Sequence, residues 1–198
     1  MKSFVAQIGS FTLESVRSFG GYSLLLAQTA RSIFGRWPRL RLILEQMHRI
    51  GNASVPVVVT TGLFTGMVLA VQSYSQFRRV EMENMVGAVV LVSMVKELGP
   101  VLTGLMLAGR VGAAMAAEIG TMKVTEQIDA LKSLATDPVK HLVLPRFASC
   151  VLLTPVLTMM ANFVGIIGGF FVSVRGVGIA KFYYIENSLA WLKVGDVV

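Results

Sequence analysis

The chain has 198 residues, 54% of them hydrophobic and only 15% charged, with a formal net charge of +7 and a mean hydropathy of +0.68. Soluble domains run at about 45–50% apolar and about 25% charged, so this balance excludes an ordinary soluble domain and points to an integral membrane protein. Basic residues collect at the cytoplasmic face and near anionic headgroups; the positive charge is therefore read as membrane-directed, with no nucleic-acid partner expected.

Residues 1–50 carry Lys2, Arg17, Arg31, Arg36, Arg39, Arg41 and Arg49 against only Glu14 and Glu45. Phe4, Ile8 and Phe11 fall at helical spacing, and "RSIFGRWPRLR" mixes arginines with Phe34 and Trp37. An amphipathic helix lying in the membrane interface fits this pattern; an ordinary cytoplasmic tail is the alternative. Glu14 and Arg17 interrupt the apolar residues early, so the N-terminus does not read as a signal peptide.

Two long stretches lack any charge, Ile50–Phe77 and Phe147–Val174. Each exceeds the roughly 20 residues needed to cross a hydrocarbon core. The predicted spans are 55–74, 85–117 (broken near Pro100) and 147–174. The polar patch "SQFRRVEMEN" separates the first two. Basic residues mark the inside, which places the N-terminus and 119–146 on the cytoplasmic face, with 75–84 and the tail 175–198 outside. The fold class is thus all-α and polytopic, a single domain with an N-terminal interfacial helix.

Small residues form ladders. Gly104, Ala108, Gly112, Ala116 and Gly120 are each four apart; Gly62, Gly66 and Ala70 repeat the pattern in the first span, and Gly165 with Gly169 in the third. Such spacing lets helix backbones approach closely in lipid. The longest ladder predicts that the second span lies against another helix.

The second span also carries Lys96, Glu97, Arg110 and Glu118. A charge at the bilayer centre costs about 2.5–3.5 kcal/mol even on the lenient insertion scale. Residues 97 and 110 are separated by about 20 Å of helical rise, and 110 and 118 by about 12 Å, so none of these pairs with another and each needs water, lipid or a second helix. Pro100 removes a backbone donor beside Lys96 and Glu97. Charge and irregular backbone at membrane depth are tolerated where protein or a wet cavity surrounds them. A polar cavity near Lys96 and Glu97 is one reading, and an inter-helix salt bridge the other.

In the 119–146 segment, Val124, Ile128, Leu131 and Ala135 make one apolar stripe, with Glu126, Gln127, Asp129, Lys132 and Ser133 around the remainder. Thr125 is the expected N-cap and Asp137-Pro138 the expected stop. This short cytoplasmic helix either rests on the lipid or docks a partner. Cys150 is the sole cysteine and lies in an apolar run, His48 and His141 have no ligand spacing around them, and no G-x-x-x-x-G-K-[ST] loop occurs. No metal or other cofactor is expected, and no nucleophile–base pair or metal cluster marks an intramembrane enzyme.

"KELGPVLTGLMLAGRVGAAMAAEIGTMKVTEQIDALKSLATDPVKHLVLPR", Lys96 to Arg146, strongly resembles the MlaE/YrbE permeases, the membrane subunits of MCE-type ABC lipid transporters. The ELGP, AGR-GAA, AEIG-TM, TEQ-DAL and DP-LPR elements stand in the family's order and spacing, and "GLFTGMVLAVQ", Gly62 to Gln72, is similar to its first span. The resemblance implies an interfacial helix and five membrane helices, of which three are visible here; the family's last two would follow the tail at 175–198, where this chain ends "WLKVGDVV". It implies a homodimer in the bacterial inner membrane, with cytoplasmic ABC ATPase subunits below and a periplasmic MCE-domain protein outside. Phospholipid would bind near the dimer axis, with Lys96 and Glu97 lining or gating the pocket and Leu69 and Tyr74 matching further pocket positions. The helix Thr125–Leu134, with Thr125, Glu126, Ile128, Asp129, Leu131 and Leu134, would be the coupling helix in the ATPase groove. ATP hydrolysis would then belong to a separate chain. The reading from residues alone that competes with this is an ion- or proton-coupled carrier in which Glu97 titrates.

Overall fold

The structure is a computed structural model that describes residues 2–33, 40–179, 181, 182 and 184, with side chains from residue 9 onward except Ile33. The side chains of Phe4 and Ile8, the aromatic-basic residues 34–39 and most of the tail after 179 lie outside the described residues. The described chain is helical, with no strand.

Six α-helices follow in order: α1 Lys2–Ile33, α2 Leu40–Phe77, α3 Val86–Ser93, α4 Gly99–Val124, α5 Gln127–Ser133 and α6 Leu144–Phe171. Two short 3-10 turns, Arg78–Val80 and Glu83–Met85, carry the chain from α2 to α3, and π-helical turns at Met94–Leu98, Val139–Val143 and Val172–Gly176 extend α3 into α4, open α6 and close it. Three helical runs are long and apolar enough to cross a membrane: Leu40–Val80, Glu83–Val124 and Val139–Gly176. At 1.5 Å per residue each run is about 60 Å long, roughly twice a hydrocarbon core, so all three continue well beyond the apolar stretches that mark them in the sequence. Only 28%, 39% and 22% of their most apolar windows are buried within the chain, which leaves most of that apolar surface facing outward, as a lipid solvent requires.

Pro56 and Pro155 sit inside α2 and α6. Proline removes a donor from the helix ladder, and nearby threonines bind carbonyls of the same turns. Thr60 Oγ1 donates to the carbonyl of Pro56 at 2.7 Å, Thr61 Oγ1 to that of Val57 at 2.8 Å, and Thr154 Oγ1 to that of Cys150 at 2.7 Å. Each hydroxyl thereby satisfies its own hydrogen-bonding need within an apolar helix.

Two compact units are present, each built from segments distant in sequence: Met1–Gln46 with Met122–Ala148, and Met47–Thr121 with Ser149–Val198. In the first, α1 packs near its C-terminal end against the Val139–Val143 turn. Thr29 and Ser32 are buried there, their hydroxyls donating to the carbonyls of Leu25 at 2.8 Å and Gln28 at 2.7 Å. Most of α1 stays uncovered, with Phe11, Leu13, Phe19, Leu24 and Leu26 all strongly exposed. A long helix with so much exposed apolar surface fits an interfacial helix.

In the second unit two apolar clusters run along the helices. One joins Ile50 and Val58 of α2, Leu107 and Val111 of α4, and Leu153, Leu157 and Ala161 of α6. The other gathers Ala70, Val86, Val90, Met94, Ile179 and Tyr184, where the Phe170 and Tyr184 rings meet edge to face at 5.4 Å and 72°. Between α2 and α6 the backbones come together at glycine. A Cβ on Gly62 would lie 2.8 Å from the Ala161 carbonyl oxygen, and one on Gly66 would overlap the Gly165 carbonyl. The other side of α6 receives α3: a Cβ on Gly169 would lie 2.7 Å from Val90 Cγ1, and one on Gly165 would overlap the Met94 methyl.

Candidate functional site

Lys96 and Glu97 lie in the π-helical turn Met94–Leu98, which replaces the expected break at Pro100. In that turn the amide of Gly99 reaches back to the carbonyl of Met94. In a regular α-helix the ring of Pro100 would press on the carbonyl four residues earlier, and a widened turn accommodates it without ending the helix. The span therefore continues unbroken from Val86 to Val124.

The turn has two sides. Met94 and Gly99 are fully buried, and the Asn162 side chain of α6 lies so close to Gly99 that a Cβ at this position would overlap its Oδ1. The glycine of the ELGP element thus has a packing reason. Lys96 and Glu97 occupy the opposite, exposed side. Leu69 and Tyr74 are half-buried and pack against the cluster around Val86, Val90 and Met94; the Arg78 guanidinium lies 5.9 Å from the Tyr74 ring centre. Lys96 and Glu97 are thus exposed, whereas Leu69 and Tyr74 belong to the apolar packing.

The deeper charges separate. Glu118 Oε1 accepts from Arg49 Nη1 at 3.0 Å, joining α4 to α2. A partner on a second helix is one of the three outcomes the spacing left open, alongside water and lipid, and Arg49 could not be picked out beforehand. It stands 69 positions away and reads as one of many N-terminal basic residues. Arg110 is exposed and borders a cleft of about 10 Å³ with Ser54, Val57, Val58, Met106 and Leu107.

The helix in the 119–146 segment is shorter than expected. It spans Gln127–Ser133 and not Thr125–Leu134, and Thr125 does not cap it: its hydroxyl is directed at the carbonyl of Met122 at 3.4 Å. The cap position is Glu126 in a left-handed conformation, φ 57°, and its carbonyl accepts the amides of Asp129 and Ala130. At the other end Ala135 is also left-handed, φ 53°. The amides of Ala135 and Thr136 bind the carbonyls of Lys132 and Leu131 at 2.9 and 3.0 Å, the paired arrangement that commonly closes a helix with glycine at the left-handed position. The stop thus precedes Asp137-Pro138, and Ala135 leaves the helical stripe. Asp137 instead accepts the amide of Val139 at 3.0 Å, opening the next helical segment. Ile128 and Leu131 are half-buried, whereas Val124 and Leu134 are 85% and 74% exposed, so the outward apolar contacts flank α5. Asp129 and Lys132 pair at 2.9 Å on its exposed surface.

The longest small-residue ladder is open. A Cβ added at Gly104, Gly112 or Gly120 meets no atom within 4 Å, and Ala108 and Ala116 are exposed. No group of three or more His, Cys, Asp or Glu among the described residues is arranged to hold a metal.

Comparison with known proteins places these features in a family context. The sequence profile described as "Permease MlaE" matches residues 43–198. A probable ABC transporter permease protein of Rickettsia felis is 42% identical over 191 residues, covering 96% of this chain and 74% of the relative. The intermembrane phospholipid transport system permease protein MlaE of Haemophilus influenzae is 36% identical over 196 residues, with the same two coverages of 96% and 74%. A probable ABC transporter permease protein of Synechocystis is 47% identical over 157 residues, 79% of this chain and 60% of the relative.

Proposed function

The chain belongs to the MlaE permease family, and from that premise we propose that it is the membrane subunit of an ATP-driven transporter carrying phospholipid between the bacterial inner membrane and a periplasmic MCE-domain protein. The observation that carries this reading is the family match through residues 43–198, which includes the span bearing Lys96 and Glu97. Two copies of the chain would enclose the lipid path. Lys96 and Glu97, exposed on one chain, would then meet a headgroup: the lysine attracts its phosphate, and the glutamate holds an ammonium or a neighbouring basic group. Leu69 and Tyr74 would supply apolar wall.

On the cytoplasmic side α5 and its flanks are the proposed seat for the ATPase subunits, which hydrolyse the ATP. Exposed Leu134 and Val124 offer apolar contact and the Asp129–Lys132 edge offers charge, while Ile128 and Leu131 are half-buried. Thr125 and Glu126 form its N-terminal hinge.

The test is photocrosslinking from position 97 in an assembled, transport-competent complex, together with transport by Glu97→Gln. Crosslinks to phospholipid and reduced transport are expected. Crosslinks to protein alone, with full transport by Glu97→Gln, would remove Glu97 from the lipid path. A purified permease that transports lipid with no ATPase subunit present would overturn the ATP-driven reading.

A further inference from the structure

The first unit holds a polar cavity away from Lys96 and Glu97 in sequence. A cavity of about 400 Å³ is lined by Gln28, Arg31 and Ser32 at the end of α1 and by Asp137 and Lys140 at the opening of the next helical segment. That volume lies within the roughly 300–1,000 Å³ typical of small-molecule sites. Among the described residues its lining holds two cations and one carboxylate, a net charge of +1. Asp137 is already engaged: Oδ1 accepts the Val139 amide at 3.0 Å, and Oδ2 stands 3.9 Å from Lys140 Nζ, a long contact for an ion pair. Arg31 enters no ion pair among the described residues. Its guanidinium is suited to bidentate recognition of a phosphate.

We propose that this cavity binds one monoanionic phosphodiester with an uncharged hydroxyl-bearing end, as on a phosphatidylglycerol-type lipid. Charge balance selects the monoanion: one phosphodiester neutralises the lining, whereas a zwitterionic headgroup leaves the excess positive charge uncompensated. The remaining polar groups suit hydroxyls. The Ser32 hydroxyl donates its proton to the Gln28 carbonyl, so its oxygen is left to accept, and the Gln28 amide both donates and accepts. The acyl chains have a surface to follow in the exposed Phe19, Leu24, Leu25 and Leu26 of the same helix. Basic pockets near the cytoplasmic boundary of membrane proteins bind anionic headgroups by this combination. The site would anchor α1 to lipid and is independent of which lipid is transported.

Native mass spectrometry of the intact complex, titrated with phosphatidylglycerol, phosphatidylcholine or inorganic phosphate, tests this. Wild type should retain phosphatidylglycerol over phosphatidylcholine. The Arg31→Gln/Lys140→Gln double variant should retain one phosphatidylglycerol fewer per chain, or bind it at least roughly tenfold more weakly. Asp137→Asn keeps the capping geometry, since asparagine and aspartate cap equally well, but raises the lining charge. It should tighten binding several-fold, a gain that misfolding cannot produce. Equal retention by wild type and all variants would overturn the proposal. Displacement of the lipid by millimolar inorganic phosphate would show a free-anion site and overturn the lipid assignment. Because Glu97 is untouched, failure here leaves the transport reading intact.

Discussion

Gly62 and Gly66 on α2 carry the same four-residue spacing of small side chains as Gly104, Ala108, Gly112, Ala116 and Gly120 on α4, yet the two surfaces differ in use. The α2 glycines bring its backbone against α6 so closely that added carbons strike carbonyl oxygens, whereas carbons added at Gly104, Gly112 and Gly120 meet nothing within 4 Å. Spacing alone therefore states that a helix can be approached, not what approaches it. What distinguishes them is the opposing surface: Ala161 and Gly165 stand across from the α2 pair, and complementary small residues on both helices permit contact in lipid, where no hydrophobic drive exists to force it. The open α4 face is available to a helix of a second copy or of another subunit.

The contrast can be broken most directly at the closed face. Gly66→Leu should abolish folding or reduce recovery of folded protein severely, because the clash is with backbone that cannot swing aside; overpacking typically costs about 1–3 kcal/mol even where side chains adjust. Size-exclusion profile and yield in detergent provide the readout, and a wild-type profile would show that α2 and α6 are not held at this distance. Gly99→Ala comes next, costing about 1–3 kcal/mol through collision with Asn162 and with the Met94 carbonyl oxygen, 2.7 Å from the added carbon. Asn162→Ala in the same chain should recover part of that loss in thermal melts, and purely additive effects would mean the two residues do not touch.

Gly112→Leu sharpens the comparison from the open side. It should leave the stability of the isolated chain within about 0.5 kcal/mol, as for a surface change, while weakening assembly with a second copy or another subunit, measured by co-purification of differently tagged chains. Normal assembly and transport would make this face lipid-exposed. Arg49→Ala is expected to have the smallest effect: exposed ion pairs contribute about 0–1 kcal/mol, and Arg49 and Glu118 keep 71% and 32% of their side-chain surface. A larger loss in thermal melts would assign this pair a structural role between α2 and α4 that its exposure does not indicate.

The sequence made some of this legible for definite reasons. Continuous apolar runs without charge mark spans because the bilayer admits little else; two of the three long helices contain such runs, and the third is the charged span around Lys96 and Glu97. Their ends were less readable: the helices extend past the apolar stretches into segments whose polar residues look like loops. The π-turn beside Pro100 was read as a break because proline signals lost hydrogen bonding but not how the chain absorbs the loss. Ala135 hid the end of α5, since the left-handed position it fills usually announces itself with glycine. Thr125 misled in the opposite direction, being a good capping residue one position too early. The exposed placement of Lys96 and Glu97, and the partner chosen by Glu118, depend on contacts between segments far apart in the chain, which no local pattern encodes.

The π-turn at Met94–Leu98 has a consequence for insertions and deletions. A ring closed over five residues, in place of four, accommodates one residue more than regular α-helix, and each α-helical residue turns the chain by about 100°. Five residues of this wide turn cover about the rotation that four cover in a regular α-helix, so the extra residue is absorbed locally. Val86, Val90 and Met94 thereby stay with the cluster around Tyr184 while Leu107 and Val111 stay with theirs. A single-codon deletion within the turn should therefore leave both clusters in register, whereas a deletion within the regular turns of α4 would rotate one half against the other by about 100° and be far more damaging.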